Sequence, residues 1–170
     1  MVRIKLLERS TKNMSAFSVA VAASTIALDQ ISKALVVACL ETGQSISLLP
    51  HVISLTHSTN TGGAFGIMRQ GNQVIFLVAT GIIALGFAWF IVSRRAGDPL
   101  SFIGLGLLVG GSLGNLIDRI ARQKVVDFLD LGWWPVFNVA DVAIVIGVII
   151  LVIVLAFDFM REKSLEIENQ

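Results

Sequence analysis

An uncharged run, VIFLVATGIIALGFAWFIV from Val74 to Val92, limits what this chain can fold into more than any other feature. As a helix it is long enough to cross a hydrocarbon core of about 30 Å. Leu100 to Ile117 is similar, and so is Val142 to Phe157 when extended back through Val139. A fourth run, 16–40, is broken only by Asp29, Gln30 and Lys33. Charged residues make up 15% of the chain, against roughly 25% in soluble domains. The chain therefore reads as a single all-α membrane domain, residues 1–170. Its four transmembrane helices are expected at 16–40, 74–92, 100–117 and 139–157.

The basic N-terminus before an oily run also fits a cleavable signal peptide. A retained first helix fits better, because cleavage would discard an intramembrane ion pair. Arg3, Lys5, Arg9, Lys12, Arg94, Arg95, Arg161 and Lys163 fall on one side, and Arg69, Arg119, Arg122 and Lys124 on the other. That bias puts both termini in the cytoplasm. It puts the connections 41–72 and 118–138 outside. The net charge of +1 and the lack of a basic tract argue against a nucleic-acid partner. Cys39, the only cysteine, allows no intrachain disulfide and reads as a buried, inert thiol.

The first outer connection, SISLLPHVISLTHSTNTGGAFGIM, alternates in short runs around Pro50 and reads as short strands. Open strands cannot lie in lipid, so they belong at the outer surface. The second connection carries Gly132, Trp133, Trp134 and Pro135, a turn with aromatics suited to the membrane interface. In the third helix Gly106, Gly110 and Gly114 form a stripe that lets another helix come close. Asn115, Asp118 and Arg119 follow on one face.

The polar residues admit several chemistries. Asp29 and Lys33 are spaced as a helical ion pair, and serve as a packing clasp or as a proton or substrate contact. With Asp118 they would suit a proton relay in a small ion transporter. Gly110–Gly114 matches G-x-S-x-G, which raises a serine-type intramembrane protease using Ser112. That motif requires a strand-to-helix elbow and a histidine, and His51 and His57 lie in another segment. The same two histidines are too few to define a metal site. Asn138 and Asp141 resemble a capping box, while Asp127 and Asp130 read as solvated loop acids. A pair of carboxylates sharing one proton would be enough for peptide hydrolysis, one activating water and the other protonating the substrate.

Five segments then settle on a known family. LDQISK (Leu28–Lys33), NTGGAF (Asn60–Phe65), GGSLGNLIDR (Gly110–Arg119), VVDF (Val125–Phe128) and FNVAD (Phe137–Asp141) occur in order on the four spans. Together they resemble lipoprotein signal peptidase, the signal peptidase II family, over nearly the whole chain. The resemblance implies an aspartic endopeptidase of the bacterial cytoplasmic membrane, with its site near the outer face. Such an enzyme cleaves diacylglyceryl-modified prolipoproteins before the lipidated cysteine. It implies Asp127 and Asp141 as the catalytic pair, supported by Asp29, Lys33, Asn60, Gly62, Asn115, Arg119 and Asn138. It implies no metal or cofactor, a monomer in the bilayer, a small extracytoplasmic β-sheet after the first helix, and inhibition by cyclic peptide antibiotics. Asp130 falls outside the matching positions. Gly63 stands where the family usually has alanine, and the connection between the two acids is short.

Overall fold

The computed structural model describes residues 2–60, 82, 86 and 99–168. Helix α1 (Val2–Cys39) leads into strands β1 (Ser45–Leu49) and β2 (Ile53–Asn60). After the segment that carries the expected 74–92 span, which apart from residues 82 and 86 lies outside the described residues, come α2 (Pro99–Arg122), β3 (Val125–Asp130) and α3 (Val139–Glu168). Among the described residues, three helical stretches are long and apolar enough to cross a membrane: Met14–Cys39, Pro99–Arg122 and Val139–Ile167.

The packing is inside out relative to a soluble bundle. From Met14 onward the buried positions of α1 are Ser18, Ala22, Thr25, Asp29, Lys33 and Val36, with Leu40 just past its end, three or four residues apart and so on one face. Leu28, Ile31, Leu35 and Val37 point outward, as do Val145, Ile149 and Val152 of α3. In a bilayer such side chains meet lipid tails, and the polar stripe must find partners within the bundle. Cys39 belongs to the outward set. The sequence reading made it a buried thiol, but the face that α1 buries is defined by Lys33, Val36 and Leu40, which leaves Cys39 on the lipid side.

Helix α2 is the central wall, and its glycines set both of its contacts. A Cβ built on Gly106 would stand 2.7 Å from the Ser18 carbonyl oxygen, and one on Gly110 2.7 Å from that of Ala22. One on Gly114 would stand 2.7 Å from Asp29 Oδ2. The stripe is therefore the seam with α1. On the opposite face Gly111 abuts the Ala140 carbonyl of α3, and a Cβ on Gly147 would stand 2.6 Å from the Gly104 carbonyl oxygen.

The strands form one antiparallel sheet in the order β1-β2-β3. This corrects the sequence reading, in which only the first outer connection contributed strands and Asp127 sat in a loop. In VVDFLD, Val126 and Phe128 pack on Val36 and Leu40 at the C-terminal end of α1. Ladder pairing to β2 satisfies the strand backbone. The β2–β3 register runs from Asn60↔Val125 and Ser58↔Asp127 to Leu55↔Leu129, with a bulge on β2 between Leu55 and Ser58. The helices also run further than hydropathy suggests. Helix α2 ends at Arg122 rather than residue 117, capped by Gln123 with φ 57°. Helix α3 ends at Glu168 rather than residue 157, so the charged tail extends it by further turns.

Candidate active site

Three local features converge at the ends of the helices that meet the sheet. The first is the start of α3. Its opening N–H groups have no partner within the helix and must be satisfied from outside. Asn138 Oδ1 accepts the amide of Asp141 at 3.0 Å, and Asp141 Oδ2 accepts the amide of Asn138 at 3.1 Å, which is a reciprocal capping box. The amide of Ala140 donates to Asp29 Oδ1 of α1 at 3.0 Å.

The second feature is the return of the chain from β3 to α3. Leu129 and Phe137 pair as an isolated antiparallel bridge, with N–H···O distances of 2.7 and 3.0 Å. Between them Asp130 Oδ1 accepts the amide of Gly132, whose φ is 78°, and Asp130 Oδ2 accepts the Thr56 hydroxyl. Asp130 thus has a local task, holding the turn and the neighbouring strand. The closed turn brings Asp127 on β3 against Asn138. The Asn138 side-chain amide donates to Asp127 Oδ1 at 2.7 Å and to Asn115 Oδ1 at 3.1 Å.

The third feature is the end of α2. Asn115 Nδ2 donates to Asp141 Oδ1 at 2.8 Å, and Asn115 Oδ1 accepts Lys33 Nζ at 2.9 Å. Arg119 donates to the Asn115 carbonyl, and its charge acts on Asp141, Asp127 and Asp118. Lys33 Nζ lies 2.8 Å from Asp29 Oδ2 and 3.1 Å from Asp118 Oδ2.

Asp127 is 4% exposed, and its carboxyl is pushed up from 3.8 to about 6. Burial is the main cause, since it penalises the charged form, and the neighbouring Asp141 adds to it. Hydrogen bonds from Asn138 and Asn60 and the charge of Lys33 pull the other way. A carboxyl held near neutrality beside a second carboxyl suits acid–base work on a peptide bond.

Of the expected site residues, Asp29, Lys33, Asn60, Asn115, Arg119, Asp127, Asn138 and Asp141 fall in this one cluster. Gly62 and Gly63 lie outside the described residues. Asp118 belongs to the cluster although the motif reading gave it no site role. It is fully buried, bound by Lys33 and Arg122, and its Oδ2 accepts the amide of Val126. An acid buried in an apolar helix was the available signal. Ser112 lies apart, its hydroxyl donating to the Leu108 carbonyl within α2. His57 is also committed elsewhere, with Nδ1 2.8 Å from the Leu40 carbonyl oxygen.

The model of the family described as Signal peptidase (SPase) II matches residues 21–157. The lipoprotein signal peptidase of Shouchella clausii is 47% identical over 129 residues, covering 75% of this chain and 85% of that protein. That of Geobacillus thermodenitrificans is 43% identical over 149 residues, covering 85% and 92%. That of Mycobacterium avium is 41% identical over 145 residues, covering 82% and 78%. A bacterial membrane enzyme solved by the in meso method matches with a TM-score of 0.78 at 32% identity, over 85% of this chain and 90% of that one. With three apolar helices among the described residues, a small antiparallel sheet and a family match over most of its length, the chain belongs to the signal peptidase II family of membrane proteases.

Proposed function

We propose that this protein is an aspartic lipoprotein signal peptidase. It cleaves diacylglyceryl-modified prolipoproteins just before the lipidated cysteine, with Asp127 and Asp141 as its catalytic pair. The observation that carries the reading is Asn138, which binds both acids at once, Asp127 through its side-chain amide and Asp141 through its backbone amide. Two carboxyls locked to one residue share one proton between them. Asp127, pushed up to about 6, holds that proton.

In the reaction Asp141 takes a proton from a water molecule, and the resulting hydroxide adds to the scissile carbonyl carbon. Asp127 gives its proton to the carbonyl oxygen as the C=O π bond opens. The tetrahedral diol collapses when the C–N bond breaks and re-forms the carbonyl. The amine leaves with the proton held by Asp141, and a diol hydroxyl returns its proton to Asp127. Asn115, Asn138 and Asn60 orient the acids, and Arg119 faces the developing charge. Asp29, Lys33 and Gly62 belong to the same binding and supporting shell.

The wider reading is a single domain of four spans, with 74–92 as the second. Both termini lie in the cytoplasm, and the site lies near the outer face of the bacterial cytoplasmic membrane. The enzyme works as a monomer, with the substrate lipid remaining in the bilayer, and cyclic peptides that reach both acids would inhibit it. The test is cleavage of a lipidated lipobox peptide in detergent by wild type, Asp127→Asn and Asp141→Asn. Loss of at least about a thousandfold in either variant is expected for a proton-transfer group. A fully active Asp127→Asn enzyme would remove the pair.

A further inference from the structure

The mechanism gives one buried ionic group no proton to move. Asp29, Lys33 and Asp118 are all fully shielded from solvent. Charges at membrane depth are expensive, and a buried ion pair is weak evidence for stability as such. What the two acids do besides binding Lys33 is specific. Asp29 accepts the backbone amide of Ala140, and Asp118 accepts that of Val126, at 3.0 and 3.1 Å. Ala140 immediately precedes Asp141, and Val126 immediately precedes Asp127. Each partner of Lys33 therefore grips the chain one residue before a catalytic acid.

We propose that Asp29, Lys33 and Asp118 form an ionic yoke that fixes the two aspartates relative to each other, with Asp118 as the positioning residue for Asp127. This rests on the aspartic reading above. An ammonium suits the centre of the yoke. It has three N–H donors, and three acceptors surround it: Asp29 Oδ2, Asp118 Oδ2 and Asn115 Oδ1. The third arm leads to the same place, since Asn115 also donates to Asp141. From the other side Arg122 and Gln30 bind Asp118 Oδ1. The yoke spans α1, α2, β3 and α3, whereas Asn138 ties the acids only within the β3–α3 segment.

Among the described residues the charges around Asp127 are Asp29 and Lys33 on α1, Asp118, Arg119 and Arg122 on α2, and Asp141 on α3. Neutralising Asp118 leaves the yoke one unit more positive, which favours the ionised form of the acid pair. Neutralising Arg122 does the opposite. Asp118→Asn keeps the shape and a carbonyl to accept the Val126 amide, while it removes the charge and turns an NH2 toward Arg122 and Gln30 in place of an acceptor.

The experiment is the pH profile of lipobox-peptide cleavage by the purified full chain. Asp118→Asn should lower kcat about tenfold while KM stays within about twofold. It should move the alkaline limb down by roughly half to one pH unit, and Arg122→Gln should move it up by a similar amount. A residue that only holds the fold would change the yield of active enzyme and leave the limbs in place. Limbs that stay at the wild-type position in both variants overturn the yoke. Should Asp118→Asn fail to accumulate, Arg122→Gln, changed on the partly exposed outer side, decides by the same criterion. Asp127→Asn is assayed in parallel. Full activity there overturns the aspartic reading itself, whereas a dead Asp127→Asn with unshifted limbs in the other two overturns the yoke alone.

Discussion

Asn138 and Asp141 cap each other across the first turn of α3, each accepting the other's backbone amide, at 3.0 and 3.1 Å. Capping and catalysis are therefore not rival readings of Asp141. The helix start that the pair stabilises is also what aims the Asp141 carboxylate, and the amide left over on the Asn138 side chain reaches Asp127.

The two jobs of Asn138 can be separated. Asn138→Ser keeps a capping oxygen but is too short to reach Asp127, so it should retain stability and lose activity by about a hundredfold. Asn138→Ala should lose the activity and also ~0.5–2 kcal/mol of stability. Thermal melts and peptide turnover on the same preparations check both.

The raised carboxyl of Asp127 has a signed consequence for stability. Between pH 3.8 and about 6 the folded protein holds a proton that the unfolded chain has released. Stability therefore falls as pH rises through that window, and the full penalty remains above it. Asp127→Asn removes the penalty. Near neutral pH the variant should be more stable than wild type by about 1–3 kcal/mol, and below pH 3.8 the two should converge. Melts in detergent across the range measure it. An unchanged difference at all pH values would contradict the burial of the acid.

The same carboxyl shapes the rate. The pair works with one proton, so kcat/KM should fall about tenfold per unit above an alkaline limb within about one unit of pH 6. The profile of the free enzyme on a short lipopeptide reads this directly.

Ser112 and Gly110 sit two residues apart on α2 with opposite expectations. The Ser112 hydroxyl is spent on the Leu108 carbonyl, so Ser112→Ala should keep activity within about twofold. A serine enzyme would die. Gly110→Val would drive a side chain into the Ala22 backbone, and should cost about 3 kcal/mol or more and most of the folded yield.

Asp130→Asn should leave activity within about threefold. An asparagine carbonyl can still accept the Gly132 amide, and among the described residues the side-chain bonds of Asp130 go to Gly132 and Thr56 rather than to Asp127 or Asp141.

Much of the frame was legible in the sequence because it rests on local periodicity. The positions of Asp29 and Lys33 on one face of α1, the seam through Gly106, Gly110 and Gly114, and the capping geometry of Asn138 and Asp141 all follow from helical spacing. The place of Asp127 did not. Its strand exists because β2, which precedes it by more than sixty residues, supplies the ladder, and no local pattern encodes that pairing. Asp118 was hidden for a related reason. Its partner is a backbone amide, which carries no signature in the identity of Val126. The short strand was masked by the turn after it, whose Gly132 and tryptophans suggested a connection without secondary structure.

The Leu129–Phe137 bridge ties off the segment between those residues as a loop. That makes the loop a natural attachment point for a probe. Trp133 and Trp134 stand 78% and 57% exposed at its tip. With Cys39→Ser removing the native thiol, a Trp133→Cys protein would carry one fluorophore at the water boundary. It would report the arrival of a lipidated signal peptide in real time.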